Sequence, residues 1–120
     1  MNRLALGKAG EEMVAEYLKA SGYKILARGY RNKCGEIDII AERDMVIHFI
    51  EVKTRTSFNY GLPAEAVNSQ KLKHITNVAN AYINSMENRI KRNQVEGEYI
   101  DLEYVIDVAE VIINHIEGVQ

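Results

Sequence analysis

Hydrophobic positions near the N-terminus recur at intervals of three and four residues, with charged positions between them. The apolar members of this set are Leu6, Ala9, Gly10, Met13, Val14, Tyr17 and Leu18. Such spacing predicts an amphipathic helix, and Ser21 and Gly22 mark its C-terminal cap. A second helical set begins near Ser69 and ends in a basic cluster; it comprises Leu72, Ile75, Ala79, Tyr82, Ile83 and Met86.

The segment between the two helices has the alternation and β-branched content of strands. Residues 23–31 predict one strand, and residues 32–35 a turn in which Gly35 takes a positive φ. Residues 36–41 and 45–53 predict a β-hairpin. Residues 54–67 are predicted to form a loop that leads into the second helix, and residues 99–117 one or two further strands.

This order of elements predicts an α/β domain with a mixed central sheet flanked by helices. A chain of 120 residues supports one hydrophobic core, so we expect a single domain over residues 1–120. In the hairpin, Ile37, Ile39 and Ala41 should share one face of their strand. Because both faces of both hairpin strands are mostly apolar, the pattern indicates central strands covered on two sides.

Composition is that of a folded globular protein, with 47% hydrophobic and 27% charged residues. No apolar run reaches the roughly 20 residues that span a bilayer, and the N-terminus does not have the pattern of a signal peptide. We therefore expect a cytoplasmic location and no membrane partner. The single cysteine, Cys34, is expected to be a thiol beside a turn.

The net charge of -2 conceals an asymmetry along the chain. Residues 95–120 carry seven acidic and no basic side chains, so residues 1–94 hold all 15 basic groups against ten acidic ones. An anionic partner should therefore meet the N-terminal three quarters of the chain.

The predicted hairpin places charged side chains inside strands that otherwise look buried. A turn between Asp44 and Met45 would bring Asp38 roughly opposite Glu51, at a Cβ separation of about 4.5 to 5.5 Å. Such a pair of carboxylates needs a compensating charge. Lys53 could bridge them in an ion triad, or the carboxylates could hold a divalent cation such as Mg²⁺ or Mn²⁺. Spacing alone leaves both interpretations open.

The run "GEIDII...FIEVKTR" from Gly35 to Arg55 resembles the PD-(D/E)XK nuclease superfamily, whose fold is the restriction endonuclease-like core. More narrowly, the chain resembles the small bacterial YraN family, which is described as related to Holliday junction resolvases. The matching motifs also include "GKAGEEMVAEYL", "SGYKIL" and "YGLPAEAV", which stand in the same order over roughly residues 7–83.

The resemblance implies a metal-dependent endonuclease that hydrolyses phosphodiester bonds in DNA, with branched or structured DNA as the expected substrate. Asp38 and Glu51 would bind Mg²⁺ or Mn²⁺ together with the Val52 carbonyl, and Lys53 would be the motif lysine. Glu11 matches an acidic position that often joins such a site. A solvated position on the helix face explains Glu11 about as well.

Further residues enter on the same resemblance. Glu36 belongs to the "GEID" motif and either supports the site or pairs with a base. A basic rim is expected to hold the phosphates of the nucleic acid, and its candidate members are Arg31, Lys33, Thr54, Arg55, Lys71 and Lys73. The resemblance also permits a two-fold homodimer, because two subunits can cut two strands symmetrically.

The chain departs from the family pattern at two places. Gly29 stands where asparagine is usual, which leaves a turn less constrained, and Val105 and Ile106 stand where the family has arginine and an aromatic residue. These losses and the acidic tail are expected to reduce nucleic-acid affinity, and the proposed metal site is untouched. The net negative charge keeps a second hypothesis open. In it the chain is a non-catalytic nucleic-acid-binding or adaptor module that retains the nuclease fold.

Overall fold

The computed structural model describes residues 2–56, 69–92 and 102–113. Its elements are helix α1 (Arg3–Ala20), strands β1 (Lys24–Asn32), β2 (Gly35–Arg43) and β3 (Val46–Thr56), helix α2 (Ser69–Arg92) and strand β4 (Glu103–Ile113). The predicted loop lies mostly outside the described residues, as does the end of the predicted C-terminal strand region. No helix in the described ranges is both long and apolar enough to cross a membrane.

Local sequence signals set the ends of α1. The Asn2 side chain accepts a hydrogen bond from the Ala5 N–H at 2.8 Å and so caps the first turn. At the other end, the Ser21 N–H donates to the Leu18 carbonyl, and Gly22 follows with φ of +90°. Glycine adopts this left-handed conformation without the steric cost that a Cβ would add.

The four strands form one mixed sheet in the order β1-β2-β3-β4, which confirms the predicted fold class. The first three strands pair antiparallel, and β4 pairs parallel with β3 after the α2 crossover. A two-residue turn at Asp44 and Met45 joins β2 to β3, with both residues at positive φ, as a type I′ turn requires. This is the turn position that the sequence predicts.

Two apolar clusters cover the two faces of the sheet. On one face α1 buries Val14, Ala15 and Leu18 against Ile39 and Ile50. On the other face α2 packs on β2 and β3; the buried members of that cluster are Ile37, Ile40, Ile47, Phe49, Ile75, Val78, Ala79, Tyr82 and Ile83. The prediction that the hairpin strands are covered on both sides is therefore confirmed.

The alternation expected for β2 is wrong at Ile37. Ile37 packs in the α2 cluster, whereas Ile39 and Ala41 pack in the α1 cluster, so the facing of the strand shifts at Asp38. On the neighbouring strand β1, Gly29 has φ of +60°, and the register of β1 with β2 is irregular farther along, between Ile25 and Ala27. Arg28 pairs with Ile39 and Tyr30 pairs with Ile37, so Gly29 lies opposite Asp38.

Gly29 therefore lies inside β1, and the expectation that it loosens a turn is wrong. A φ of +60° is open to glycine and, with less ease, to asparagine, but a β-branched residue is strongly disfavoured there. The glycine allows both strands to kink together, and the kink falls at Asp38.

Candidate metal and phosphate site

The sheet divides at the positions of Asp38 and Glu51. Pairing between β2 and β3 extends from Arg43 and Val46 as far as Ile39 and Ile50, and one more step would pair Asp38 with Glu51. Beyond that step β2 stays paired with β1, and β3 stays paired with β4. We call this divergence of β2 from β3 the fork.

Asp38 closes the fork with its side chain. Its Oδ2 accepts a hydrogen bond from the Val52 N–H at 2.7 Å, in place of a backbone carbonyl of β2. Within a strand, the N–H and C=O of one residue point to the same edge. The Val52 carbonyl is therefore directed to the same side as its N–H, toward the fork.

Helix α1 reaches the fork because Gly10 allows an unusually close approach to β3. A Cβ on Gly10 would overlap the side chain of Thr54, and Gly10 itself is buried. The Thr54 hydroxyl is enclosed at this contact and has no hydrogen-bond partner among the residues that the structure describes. The next residue of α1 is Glu11, so the contact between Gly10 and Thr54 sets the position of Glu11 over the fork.

Three carboxyl groups influence one another at the fork. Burial raises the pKa of Glu11, and Asp38 raises it further through its charge and a side-chain hydrogen bond. Burial likewise raises the pKa of Glu51, followed by the charge of Asp38. Arg28 acts in the opposite direction on the pKa of Glu11, but the net shift remains upward. Ionised Glu11 and Glu51 are thus less favourable in the folded chain than in water, as expected for partly buried carboxylates beside another anion.

Two lysines lie beside these carboxylates. Lys71 on α2 forms an ion pair with Glu51, with 3.2 Å between Nζ and Oε1. The charges of Lys71 and Lys53 both lower the pKa of Glu51, although they do not cancel the upward shift. Burial by itself would lower the pKa of Lys71, but the charge of the Glu51 carboxylate and its hydrogen bond with the ammonium raise it overall.

The structure brings five of the predicted site residues together: Glu11, Asp38, Glu51, Lys53 and Lys71. Glu36 has a different partner. It lies opposite Arg31 across β1 and β2, and the two exposed side chains form an ion pair at 2.7 Å. Glu36 and Arg31, predicted as a site acid and a phosphate contact, thus pair with each other.

The other predicted phosphate contacts are dispersed. Arg55 forms an ion pair with Glu110 of β4 at 3.1 Å, and its side chain is only 19% exposed. The Thr54 hydroxyl faces Gly10 and is buried, so it is not directed to solvent. Lys33 in the turn before β2 and Lys73 on α2 are exposed.

The donor set at the fork fits a small, hard cation that keeps several water ligands. Within residues 2–56, 69–92 and 102–113, no three His, Cys, Asp or Glu side chains are arranged to hold a metal ion. The oxygens of Asp38 and Glu51, with the Val52 carbonyl directed to the same place, form a smaller set. Mg²⁺ commonly binds proteins through one or two carboxylates and completes its shell with water.

Sequence reasoning missed two glycines that shape the site, Gly10 and Gly29. The motif segment "GKAGEE" contains Gly10 beside Glu11, but the pattern does not reveal that Thr54 lies against it. For Gly29, the replacement of an asparagine was a usable signal, because both residue types tolerate positive φ.

Comparison with known sequences identifies the family of the chain. The chain matches the model of "Uncharacterised protein family UPF0102" over residues 10–111. The chain belongs to the UPF0102 family. The match includes Glu11, both strands of the fork and Lys71.

Relatives in the family are similar along most of their length. A UPF0102 protein from Alkaliphilus metalliredigens is 43% identical over 109 residues, which cover 91% of this chain and 86% of the relative. One from Caldicellulosiruptor saccharolyticus is 40% identical over 114 residues, covering 95% and 87%. A third, from Chloroherpeton thalassium, is 40% identical over 111 residues, covering 92% and 78%.

Proposed function

We propose that this UPF0102 protein is a metal-dependent endonuclease of the PD-(D/E)XK type that hydrolyses phosphodiester bonds in DNA. The observation that carries the proposal is the fork, where Asp38, Glu51 and Glu11 meet beside Lys53 and Lys71. A purely structural role gives no reason to cluster carboxylates where ionising them is unfavourable. A catalytic site for phosphate chemistry gives such a reason, because a bound cation stabilises the ionised carboxylates.

In this proposal Asp38, Glu51 and the Val52 carbonyl hold Mg²⁺ or Mn²⁺. A divalent ion there would polarise a phosphoryl oxygen and lower the pKa of a bound water. Lys53 follows Glu51 by two residues on the same strand, so its ammonium is placed to orient the attacking water or to balance charge on the phosphate. Glu11 would contribute a further hydrogen-bond acceptor near Asp38, and it could hold water molecules that bind the cation.

The size of the described surface favours recognition of DNA shape over sequence. A small domain offers little area for reading base edges, since specific protein–DNA interfaces bury about 1,000 Å² or more of protein surface. Of the predicted cationic contacts, Arg31 and Arg55 are in ion pairs with acids of the chain. We therefore propose branched or otherwise structured DNA as the substrate, cut by a two-fold dimer.

A non-catalytic nucleic-acid-binding or adaptor role is the second candidate. The observation that favours it is the acidic β4 strand, which carries Glu103, Asp107 and Glu110 without a basic residue. An adaptor of this kind would bind nucleic acid equally well with or without divalent metal, and loss of Asp38 or Glu51 would not weaken it.

The test is cleavage of end-labelled four-way junction and linear duplex DNA in Mg²⁺ or Mn²⁺. The variants are Asp38→Asn and Glu51→Gln, with Glu42→Gln at the far end of β2 as the matched control. We expect each site variant to lose at least about 100-fold in rate, since metal stabilisation of the transition state contributes several kcal/mol. Glu42→Gln should cleave like the wild type. Wild-type rates in Asp38→Asn or Glu51→Gln would contradict the proposal.

A further inference from the structure

Lys71 is the charged side chain that links α2 to the fork. It lies in the first turns of α2, and its Nζ is 3.2 Å from Glu51 Oε1. The two partners differ in exposure, because the Glu51 side chain is 16% exposed and the Lys71 side chain is 39% exposed. The carboxylate is therefore held in place by the sheet, while the lysine approaches it from the rim.

Lys71 and a metal ion would serve the same electrostatic purpose. The fork gathers the carboxylates of Glu11, Asp38 and Glu51. Burial and the charge of Asp38 raise the pKa of Glu51, and the Lys71 ammonium, 3.2 Å away, acts in the opposite direction. A divalent ion on Glu51 would share that carboxylate with the Lys71 ammonium, and the two cations would repel each other. Binding of one should consequently weaken binding of the other.

We propose that Lys71 is an internal counter-ion of Glu51 that a divalent cation displaces. This inference rests on the proposed function and adds a regulatory step to the same site. Lys53 is a weaker candidate for displacement, because it is fixed to the same strand as Glu51. Lys71 is carried by a different element on a flexible four-carbon stem, so it can turn toward solvent without disturbing the sheet.

The displaced ammonium then has a second task. Once it leaves Glu51, Lys71 is close to the site where a phosphate group would meet the metal. A phosphate that attracts Lys71 also frees Glu51 for the cation. Metal and nucleic acid would thus each strengthen the binding of the other, as linkage requires. In the absence of nucleic acid, Lys71 would keep metal affinity low.

The test is calorimetric titration of Mn²⁺ into the wild type, Lys71→Gln, Lys71→Arg and Lys19→Gln. Lys19→Gln is the matched control, since it removes a lysine that pairs with Glu16 at 3.4 Å away from the fork. Removal of the competing ammonium should tighten Mn²⁺ binding by about five-fold, a modest change that suits a partly exposed ion pair. Lys71→Arg, which keeps the charge, should bind no tighter than the wild type, and Lys19→Gln should match it.

The outcomes separate this inference from the proposed function. If Lys71→Gln binds Mn²⁺ as the wild type does, or more weakly, the counter-ion role is wrong and the metal site stands. Loss of folding in Lys71→Gln would weaken binding, so it cannot imitate the expected gain. If neither the wild type nor Lys71→Gln binds Mn²⁺, both the counter-ion role and the proposed metal site are wrong.

Discussion

Asp38 has two physical tasks at the fork, one structural and one electrostatic. Its Oδ2 accepts the Val52 N–H, so the side chain replaces a missing backbone acceptor. Its charge also raises the pKa values of Glu11 and Glu51. These tasks can be separated by substitution, because an amide retains an acceptor oxygen and loses the charge.

We predict that Asp38→Ala is less stable than Asp38→Asn by about 1–3 kcal/mol, the cost of leaving the partly buried Val52 N–H without its acceptor. Urea unfolding of both variants measures the difference in the free energy of unfolding. Both variants should lose activity on DNA. Equal stability of the two would show that the hydrogen bond to Val52 contributes nothing to the fold.

Glu11 gives a prediction about pH. Its pKa is raised in the folded chain, so the folded state holds the proton more tightly than the unfolded state. The stability gained from protonation is fully present below the ordinary value of 4.5 and is lost as pH rises through the folded pKa. Glu11→Gln mimics the protonated form. It should therefore gain stability over the wild type near neutral pH, and this gain should shrink in acid.

The neighbouring Glu12 supplies a control of opposite sign. Its hydrogen bond with Arg28 lowers the pKa of Glu12, so its stabilising contribution is present at neutral pH and is lost as pH falls through the folded pKa. Glu12→Gln should be less stable than the wild type near neutral pH, with the deficit closing in acid. Urea unfolding across a pH series checks both signs. The same trend in both variants would contradict the assigned environments.

At the scale of elements, the packing of α1 on β3 depends on the contact between Gly10 and Thr54. Gly10→Ala should destabilise the chain by about 1–3 kcal/mol, because the added Cβ overlaps Thr54. Thr54→Ala makes room and removes the unpaired hydroxyl. In that background Gly10→Ala should become neutral or stabilising, since alanine exceeds glycine in helix propensity by up to about 1 kcal/mol.

A double-mutant cycle on thermal or urea unfolding measures this coupling. We expect an interaction energy of at least about 1 kcal/mol between Gly10 and Thr54, as is typical of residues in direct contact. Additive effects on the free energy of unfolding would mean that Gly10 and Thr54 are not in direct contact.

The kink of β1 and β2 is tested at Gly29. Gly29→Asn should be tolerated, whereas Gly29→Val should be less stable than Gly29→Asn by about 1–2 kcal/mol, because a β-branched residue resists positive φ. Since Asp38 lies opposite, Gly29→Val should also weaken Mn²⁺ binding and DNA cleavage in the fraction that folds. If Gly29→Val matches Gly29→Asn in all three measurements, the kink does not position Asp38.

The elements themselves could be predicted because their signals are local. Helical periodicity gave α1 and α2, and a two-residue turn with alternating apolar strands gave the hairpin and the approach of Asp38 to Glu51. The facing of Ile37 could not be predicted, because the strand changes facing at Asp38 while the apolar pattern of the sequence stays regular. The pairing of Lys71 with Glu51 depends on how α2 crosses the sheet, and spacing does not encode that crossing.

At the scale of the whole molecule, charge is distributed unevenly over the sheet. The fork gathers acids beside Lys53 and Lys71, and the edge strand β4 carries acids with no basic residue. The sequence predicts this uneven charge, because its last quarter is acidic and has no lysine or arginine. It could not show that Arg31 and Arg55 are engaged with acids, which reduces the cationic surface available to a polyanion.

We predict a weak salt dependence for DNA binding. The Glu51→Gln variant permits the measurement because it should bind without cutting. The slope of log affinity against log salt should correspond to about two to four phosphate contacts, fewer than in a typical DNA-coating protein. Fluorescence anisotropy with labelled junction DNA measures it. A slope equivalent to eight or more contacts, by the same relation, would mean that a larger basic surface is involved.

In the proposed function the fork between β2 and β3 holds a divalent cation. Anomalous diffraction from crystals grown with Mn²⁺ tests it most directly, with Glu51→Gln crystals as the control. We expect a peak bounded by Asp38, Glu51 and the Val52 carbonyl in the wild type, and a weaker peak or none in the variant. A wild-type crystal with no peak at the fork, or with manganese bound only elsewhere, would mean that the fork is not a metal site.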